Sequence, residues 1–324
     1  MSASTSDEQL AALARQARWH VIKTVTGSKA GHIGGPLSMM DVLVTLYFEE
    51  LRIRTEEPDW ADRDRFVLSK GHAAIGLYAV LAMRGFFPVE ELPTFDKGGS
   101  RLQGHPDVTK LPGLDASTGS LGQGLSFGVG AALGARRTGQ DFHTFVMLGD
   151  GEIQEGQVWE AAQVATRYRL TNLTAILDRN GLQQYGLPSD DRTAGTDRGD
   201  RRDPWAGLDV AAVFHAFGWR VLEIDGHDYG QIRNALKLGR AGDREGRPTV
   251  IIAQTVKGKG LSLAEGTHTW HSIVPTAEDL EQARRELDSD IHADIDADID
   301  ADIDGDIDGE HENELVAHET GATS

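Results

Sequence analysis

The sequence predicts an α/β protein: an open, mainly parallel sheet with helices on both faces. Three observations predict it. Short apolar runs recur along the chain, TFVML at 144–148, LTAILD at 173–178, RVLEID at 220–225 and TVIIAQTV at 249–256. Helical spacing separates them, over about 155–168 and about 228–240, which is the alternation that builds βαβ units and a parallel sheet. The length of 324 residues and the 39% apolar content are enough for one large α/β domain, or two smaller ones, with a substantial core.

In chain order, Leu10, Leu13, Ala17, His20, Val21 and Val25 follow a helical period over 7–27, with Gly27 as the expected stop. After the glycine-rich GHIGGP, Leu37–Glu49 reads as a largely buried helix. FVLS at 66–69 reads as a short buried strand, and a helix is expected over 73–84. The stretch 95–124 is dense in Gly, Pro, Asp and Ser and keeps no period, and so long an irregular segment in a compact domain implies a functional one. A helix over about 121–138 carries Gly124, Gly128, Gly130 and Gly134. Each glycine costs a helix about 1 kcal/mol, so close backbone packing is the expected compensation. Residues 183–207 read as a polar connection, and Thr276 with Asp279 as a capping box for a last helix over about 277–288.

Composition excludes several functions. With no cysteine there is no disulfide, thiolate metal site or Cys nucleophile. The formal charge is −19, but fifteen acidic residues and no Lys or Arg fall between Glu286 and Ser324, which leaves residues 1–285 at −4. That body offers no basic footprint for nucleic acid. No run of eighteen apolar residues and no basic leader followed by an apolar core occurs, so the expectation is a cytoplasmic protein without a membrane segment. The organisation expected is one domain, 1–285, followed by an acidic tail, 286–324. Its Asp-Ile-Asp repeat reads as low-complexity chain held open by its own charge.

The chemistry centres on LGDGEIQEG at 148–156, which ends one strand and opens a helix. Ligands of open α/β sheets sit beyond the carboxyl ends of the strands, where helix N-termini offer amides to phosphate. Gly149 and Gly151 let backbone approach a phosphate, but Asp150 would repel it unless a cation lay between them. The next strand ends LDRNGL, which puts Asn180 at the same edge. Asp150, the Asn180 amide oxygen and a main-chain carbonyl, supplied by Leu182, make a hard oxygen site suited to Mg²⁺ or Ca²⁺ completed by a diphosphate.

GDGEIQEG followed by LDRNGL resembles the thiamine diphosphate signature in its transketolase form. GSKAGHIGGPLSM at 27–39, DRFVLSKGHAAIGLY at 64–78, QGHPD at 103–107, STGSLGQGLSFGVGAA at 117–132, IDGHD at 224–228 and GTHTWH at 266–271 resemble the same family in the same order. The resemblance covers about 10–275 and concerns the N-terminal, diphosphate-binding half only, so it implies the first subunit of a split, two-chain transketolase. It implies thiamine diphosphate as cofactor with Mg²⁺ or Ca²⁺. The glutamate that activates the cofactor belongs, in the family, to the pyrimidine-binding domain. A C-terminal partner subunit is therefore implied, in a heterotetramer of two chains of each kind acting on sugar phosphates or related small molecules.

Residue by residue, the resemblance places His32, His72, His105 and His268 as active-site imidazoles, Gly119, Ser120 and Leu121 against the cofactor together with Gly149, Asp150, Gly151, Glu152 and Asn180, and Glu155 at the junction of the two halves. His271 stays open, and His227 reads as structural. Where the family often has Pro and Ala, this chain has Ile33 and Gly35, which by the resemblance border the substrate mouth. Arg179 replaces an acidic residue and matches the split form. Two rivals fail on context: GLSFG at 124–128 follows a loop rather than the strand that a Ser126 nucleophile elbow needs, and no G-x-G-x-x-G follows a strand. The alternatives that remain are a specialised carboligase with another acceptor, including one that decarboxylates a 2-oxo acid, and a noncatalytic regulatory subunit.

Overall fold

In the computed structural model, residues 5–184 and 208–287 are described, and they carry a single five-stranded sheet. The strands are β1 (Arg65–Leu68), β2 (Thr144–Gly149), β3 (Leu173–Arg179), β4 (Arg220–Asp225) and β5 (Thr249–Gln254), in the order β1-β2-β3-β5-β4 with every pairing parallel. β2, β3 and β5 are buried along nearly their whole length, which is why their sequences read as unbroken apolar runs.

One face takes Val146, Leu148, Leu173, Ala175, Leu177, Val250 and Ile252 into a core shared with α5 (Gln123–Thr138), α6 (Gly156–Arg167) and α7 (Val210–Ala216). The other face meets α8 (Tyr229–Arg240), which in turn packs on a helical layer of α1 (Asp7–Ser28), α2 (Gly34–Ser38), α3 (Met40–Thr45) and α4 (Ala74–Arg84). α9 (Ala277–Leu287) packs against α1, and Thr276 with Asp279 forms the expected cap: Asp279 N–H donates to the Thr276 hydroxyl oxygen, and Thr276 N–H to the Asp279 carboxylate. No helix among the described residues is long and apolar enough to cross a membrane.

Three local expectations are corrected, and one helix is added. α1 runs through Gly27 and stops at Lys29, which takes the left-handed conformation at φ 56°. A Ser6–Gln9 capping box fixes its other end. The helix expected over 37–49 starts three residues earlier and breaks at Met39, and its last turn, 46–50, widens so that Leu51 N–H reaches Leu46 O. α5 shows close packing at only two of its four glycines. A Cβ on Gly124 would lie 2.4 Å from Ser69 and one on Gly128 2.3 Å from Val146, whereas Gly130 and Gly134 face open space. α7 escaped the sequence reading because it is short. The irregular connection lies outside the described residues from 185 to 207, as does the acidic tail from 288.

Candidate functional site

The carboxyl ends of β1, β2, β3 and β5 open into one cleft of about 610 Å³. β1 leads to Lys70 and His72, β2 to Gly149, Asp150 and Gly151, β3 to Asp178, Asn180 and Leu182, and β5 to Lys257; the loops add His32, His105, Gly119, Leu121, Glu155 and His271. A second hollow of about 690 Å³ continues from His32 and His105 past Asp96, Gln103 and Asp107. Parallel pairing produces this convergence: Gly149 lies opposite Asp178, and Asp178 opposite Ala253.

Asp150 is buried, and its carboxylate accepts Gly181 N–H at 2.6 Å and Gly151 N–H at 2.8 Å, with the Arg179 guanidinium 3.5 Å away. Those partners do not balance it: burial first, then the neighbouring Asp178, push its carboxyl up to about 6. Asp178 is as buried, and burial pushes it upward too, but the Lys70 ammonium at 2.5 Å, with the Ser38 and Thr255 hydroxyls, outweighs burial and holds it below the usual range. Of two adjacent buried carboxylates, one has a cation that outweighs burial and the other does not.

The amide of Asn180 lies alongside, its Nδ2 donating to Asp178 and its Oδ1 accepting Leu182 N–H, each at 3.2 Å. A carboxylate, an amide oxygen and a main-chain carbonyl suit a hard divalent ion. Among the described residues no group of three His, Cys, Asp or Glu could hold a metal without such neutral oxygens. The donor set therefore fits Mg²⁺ or Ca²⁺ shared with a diphosphate. Lys257 adds positive charge; burial lowers its ammonium to about 8, and its Nζ lies 3.0 Å from His271 Nδ1. Gly119, at φ 150°, presents bare backbone to the cleft, and a Cβ there would press on the His105 ring at 3.0 Å.

The rings of His32, His72 and His271 form a triangle with centroids 5.0–5.1 Å apart. Burial, then Lys70, lowers His72 to about 2, and burial, then Lys257, lowers His271 to about 3; burial and then His105 lower His32. At neutral pH the three are neutral imidazoles that can each donate and accept a hydrogen bond. His227 contrasts with them. Its Nε2 accepts Val256 N–H at 2.9 Å, so the proton is on Nδ1 and donates to Asp41 at 2.6 Å. Both ring nitrogens are committed to the framework.

Several sequence expectations change here. His268 does not line the cleft; His271 does. His271 follows the short turn Thr269–His271 and is tethered by Ile33 N–H donating to its carbonyl at 3.2 Å. Ser120 is exposed and also off the cleft wall: at the bend and turn that lead into α5, Gly119 and Leu121 line the cleft and Ser120 does not. Ile33 is fully buried and leaves only Gly35 at the wall. Glu152 borders the cleft, but its carboxylate is occupied by the Ser69 hydroxyl and by the N–H groups of Gly122 and Gly149, so it braces the loops. Glu155 caps the start of α6 by position without a side-chain capping bond, and stands exposed at the rim. Lys70, Asp178 and Lys257 escaped the sequence reading. The strand-tip position of Asp178, two residues before Asn180, was the one available signal.

Residues 9–318 match the family model described as transketolase, thiamine diphosphate binding domain. The chain is 42% identical over 275 residues to one of the subunits of the apulose-4-phosphate transketolase of Phocaeicola vulgatus, covering 85% of this chain and 92% of that protein. It is 39% identical over 260 residues to the 6-deoxy-6-sulfo-D-fructose transketolase subunit SqwG of a Clostridium species, covering 80% and 89%. Among solved structures, the transketolase from Leishmania mexicana matches with a TM-score of 0.75 at 32% identity, over 87% of this chain and 41% of that one. The chain thus spans about two fifths of that transketolase and nearly all of the two bacterial subunits. It belongs to the transketolase family and corresponds to the family's N-terminal, thiamine-diphosphate-binding subunit.

Proposed function

We propose that this chain is the cofactor-anchoring subunit of a two-chain transketolase dependent on thiamine diphosphate and Mg²⁺. It moves a two-carbon ketol unit from a ketose phosphate to an aldose when joined, in a cytoplasmic heterotetramer, to a C-terminal subunit carrying the pyrimidine-binding domain. Residues 1–285 form the cofactor-anchoring domain and 286–324 an acidic appendage. The observation that carries the reading is the buried Asp150 at the end of β2, lining one cleft with Asn180, Leu182 and Lys257.

Thiamine diphosphate, when bound, supplies the electron sink for cleaving and forming the carbon–carbon bond. The chain's own residues supply the rest. Asp150, Asn180 and the Leu182 carbonyl would hold the divalent ion that neutralises the diphosphate. Gly119, Gly149 and Gly151 admit it to the backbone, and Lys257 adds a cation. His32, His72 and His271, neutral and clustered, present donors and acceptors to the substrate's carbonyl and hydroxyl oxygens and can hold or pass a proton there, with His105 also lining the cleft. Glu155, at the rim, faces where the partner would close the site.

The two bacterial relatives are named for apulose 4-phosphate and 6-deoxy-6-sulfofructose, which supports a specialised donor within the same reaction class. Gly35 is compatible with one, since a methyl there would just touch Lys70 Nζ at 3.7 Å and His72 Nε2 at 3.8 Å. The test is to purify the chain with its partner, thiamine diphosphate and Mg²⁺, and assay xylulose 5-phosphate with ribose 5-phosphate against the two other ketoses. Ketol transfer from any of the three that vanishes in Asp150→Ala is expected. Turnover unchanged in Asp150→Ala would replace the reading with a noncatalytic subunit.

A further inference from the structure

Asp178 borders the cleft, but its carboxylate is fully engaged: four donors from four separate segments converge on it. Ser38 of α2 donates at 2.6 Å, Lys70 after β1 at 2.5 Å, and Asn180 at 3.2 Å, all to Oδ2; Thr255 after β5 donates at 2.5 Å to Oδ1. The side chain is 1% exposed and Lys70 3%. Lys70 is anchored further by donating to Gly35 O at 3.0 Å.

A carboxamide has two faces of similar shape and opposite chemistry, so an unrestrained Asn could turn either its NH₂ or its oxygen toward a cation. Only the oxygen binds one. For Asn180 the choice is made on both sides: Asp178, an acceptor, takes the NH₂, and Leu182 N–H, a donor, takes the oxygen. The ion pair with Lys70 keeps Asp178 an acceptor.

We propose that Asp178 is a positioning residue for the divalent ion: it fixes the amide orientation of Asn180, so that Oδ1 is presented beside Asp150 before cofactor arrives. The inference rests on the function proposed above. Groups that orient metal ligands from behind contribute about ten- to a hundredfold in metal affinity. The three other donors to Asp178 come from elements that carry the cleft walls, so the same carboxylate ties the tips of β1, β3 and β5 together. A purely structural role would need that tie but not the bond to Asn180.

The experiment uses the two-chain enzyme and titrates Mg²⁺ in the presence of thiamine diphosphate, following heat or intrinsic fluorescence, with thermal unfolding measured in parallel. Asp178→Leu, which has no acceptor for the Asn180 amide, is compared with Ser38→Ala and Thr255→Val, which remove ties to Asp178 but leave its bond to Asn180. Asp178→Leu is expected to weaken Mg²⁺ binding at least about tenfold, and the two controls to lower the unfolding temperature with Mg²⁺ affinity within a factor of about two. Because Asp178→Leu strands a buried ammonium, Lys70→Gln/Asp178→Leu is measured against Lys70→Gln alone, and the same tenfold loss is expected between them. Equal Mg²⁺ affinity in either comparison, or equal losses in the Ser38 and Thr255 controls, would overturn the proposal. Failure of the wild-type complex to couple Mg²⁺ to cofactor uptake would instead overturn the proposed function, so the two failures are distinct.

Discussion

The two ends of the sheet solve the same electrostatic problem in opposite ways. At the amino end, Asp64 has a fully buried side chain, as Asp150 does at the carboxyl end. Asp64 accepts Arg52 N–H at 2.7 Å, His143 N–H at 2.9 Å and the Arg240 guanidinium at 2.7 Å. Burial alone would push its carboxyl up, but Arg240 and the two backbone donors outweigh it and hold it below the usual range. At the carboxyl end, Asp150 stays raised to about 6 and Lys257 is lowered to about 8. The carboxylate at the amino end is compensated by protein donors. The carboxyl end keeps an imbalance that a cation and an anion together would relieve, and that is the physical mark of a site as opposed to a support.

Exchanging a residue at each end should break the comparison most visibly. Asp150→Ala is expected to weaken Mg²⁺-dependent thiamine diphosphate binding by more than about a hundredfold, with the unfolding temperature of the free chain unchanged or raised, since a poorly compensated buried carboxylate is removed. Asp64→Ala should do the reverse: about 2–3 kcal/mol of stability lost in denaturant unfolding, because the Arg52 and Arg240 guanidinium groups and two N–H groups lose their acceptor, with cofactor affinity per folded molecule retained. If both variants behaved alike, the contrast between the ends would be empty.

The pH dependence sharpens it. The folded chain holds the Lys257 proton less tightly than the unfolded chain, so this group makes the free protein more stable as pH rises from about 8 toward 10.5. The anion it attracts is affected in the opposite sense. Diphosphate affinity should fall by up to about tenfold per unit as pH rises above 8, and Lys257→Gln should bind more weakly at pH 7 and lack this fall. Binding by Lys257→Gln with the wild-type pH profile would remove Lys257 from the diphosphate's surroundings.

The smallest effects concern α5. Gly128→Ala drives a methyl into Val146 at 2.3 Å and should cost about 1–3 kcal/mol, whereas Gly130→Ala and Gly134→Ala, in open space, should each add up to about 1 kcal/mol to the stability of the isolated chain. Unfolding of the three variants in denaturant checks the signs.

Much of this was legible in the sequence because it depends on short-range pattern. Strands buried on both faces announce themselves as apolar runs, and the order GDG, helix, strand, Asn brings Asp150 and Asn180 to one edge by topology alone. Other features depend on where a turn sends a side chain or on which residues meet across the sheet. His268 and His271 are three residues apart, and contacts distant in sequence, with Ile33, His32, His72 and Lys257, hold His271 in the cleft. Ser120 and Leu121 are neighbours, and the bend and turn before α5 separate them. The Lys70–Asp178 pair spans 108 positions and joins β1 to β3, so no local period could reveal it. Gly130 and Gly134 fit the helical pattern as well as Gly128 does, but nothing local to α5 reveals which of its glycines face Val146 and which face open space.

The central claim is that a divalent ion held by Asp150, Asn180 and the Leu182 carbonyl couples this chain to the diphosphate of thiamine. Calorimetric titration of thiamine diphosphate into the two-chain complex, with Mg²⁺ and again with a chelator, tests it most directly. Binding that requires Mg²⁺ in the wild type and is lost in Asp150→Ala is the expected result. Equal uptake of the cofactor with and without the ion would contradict it.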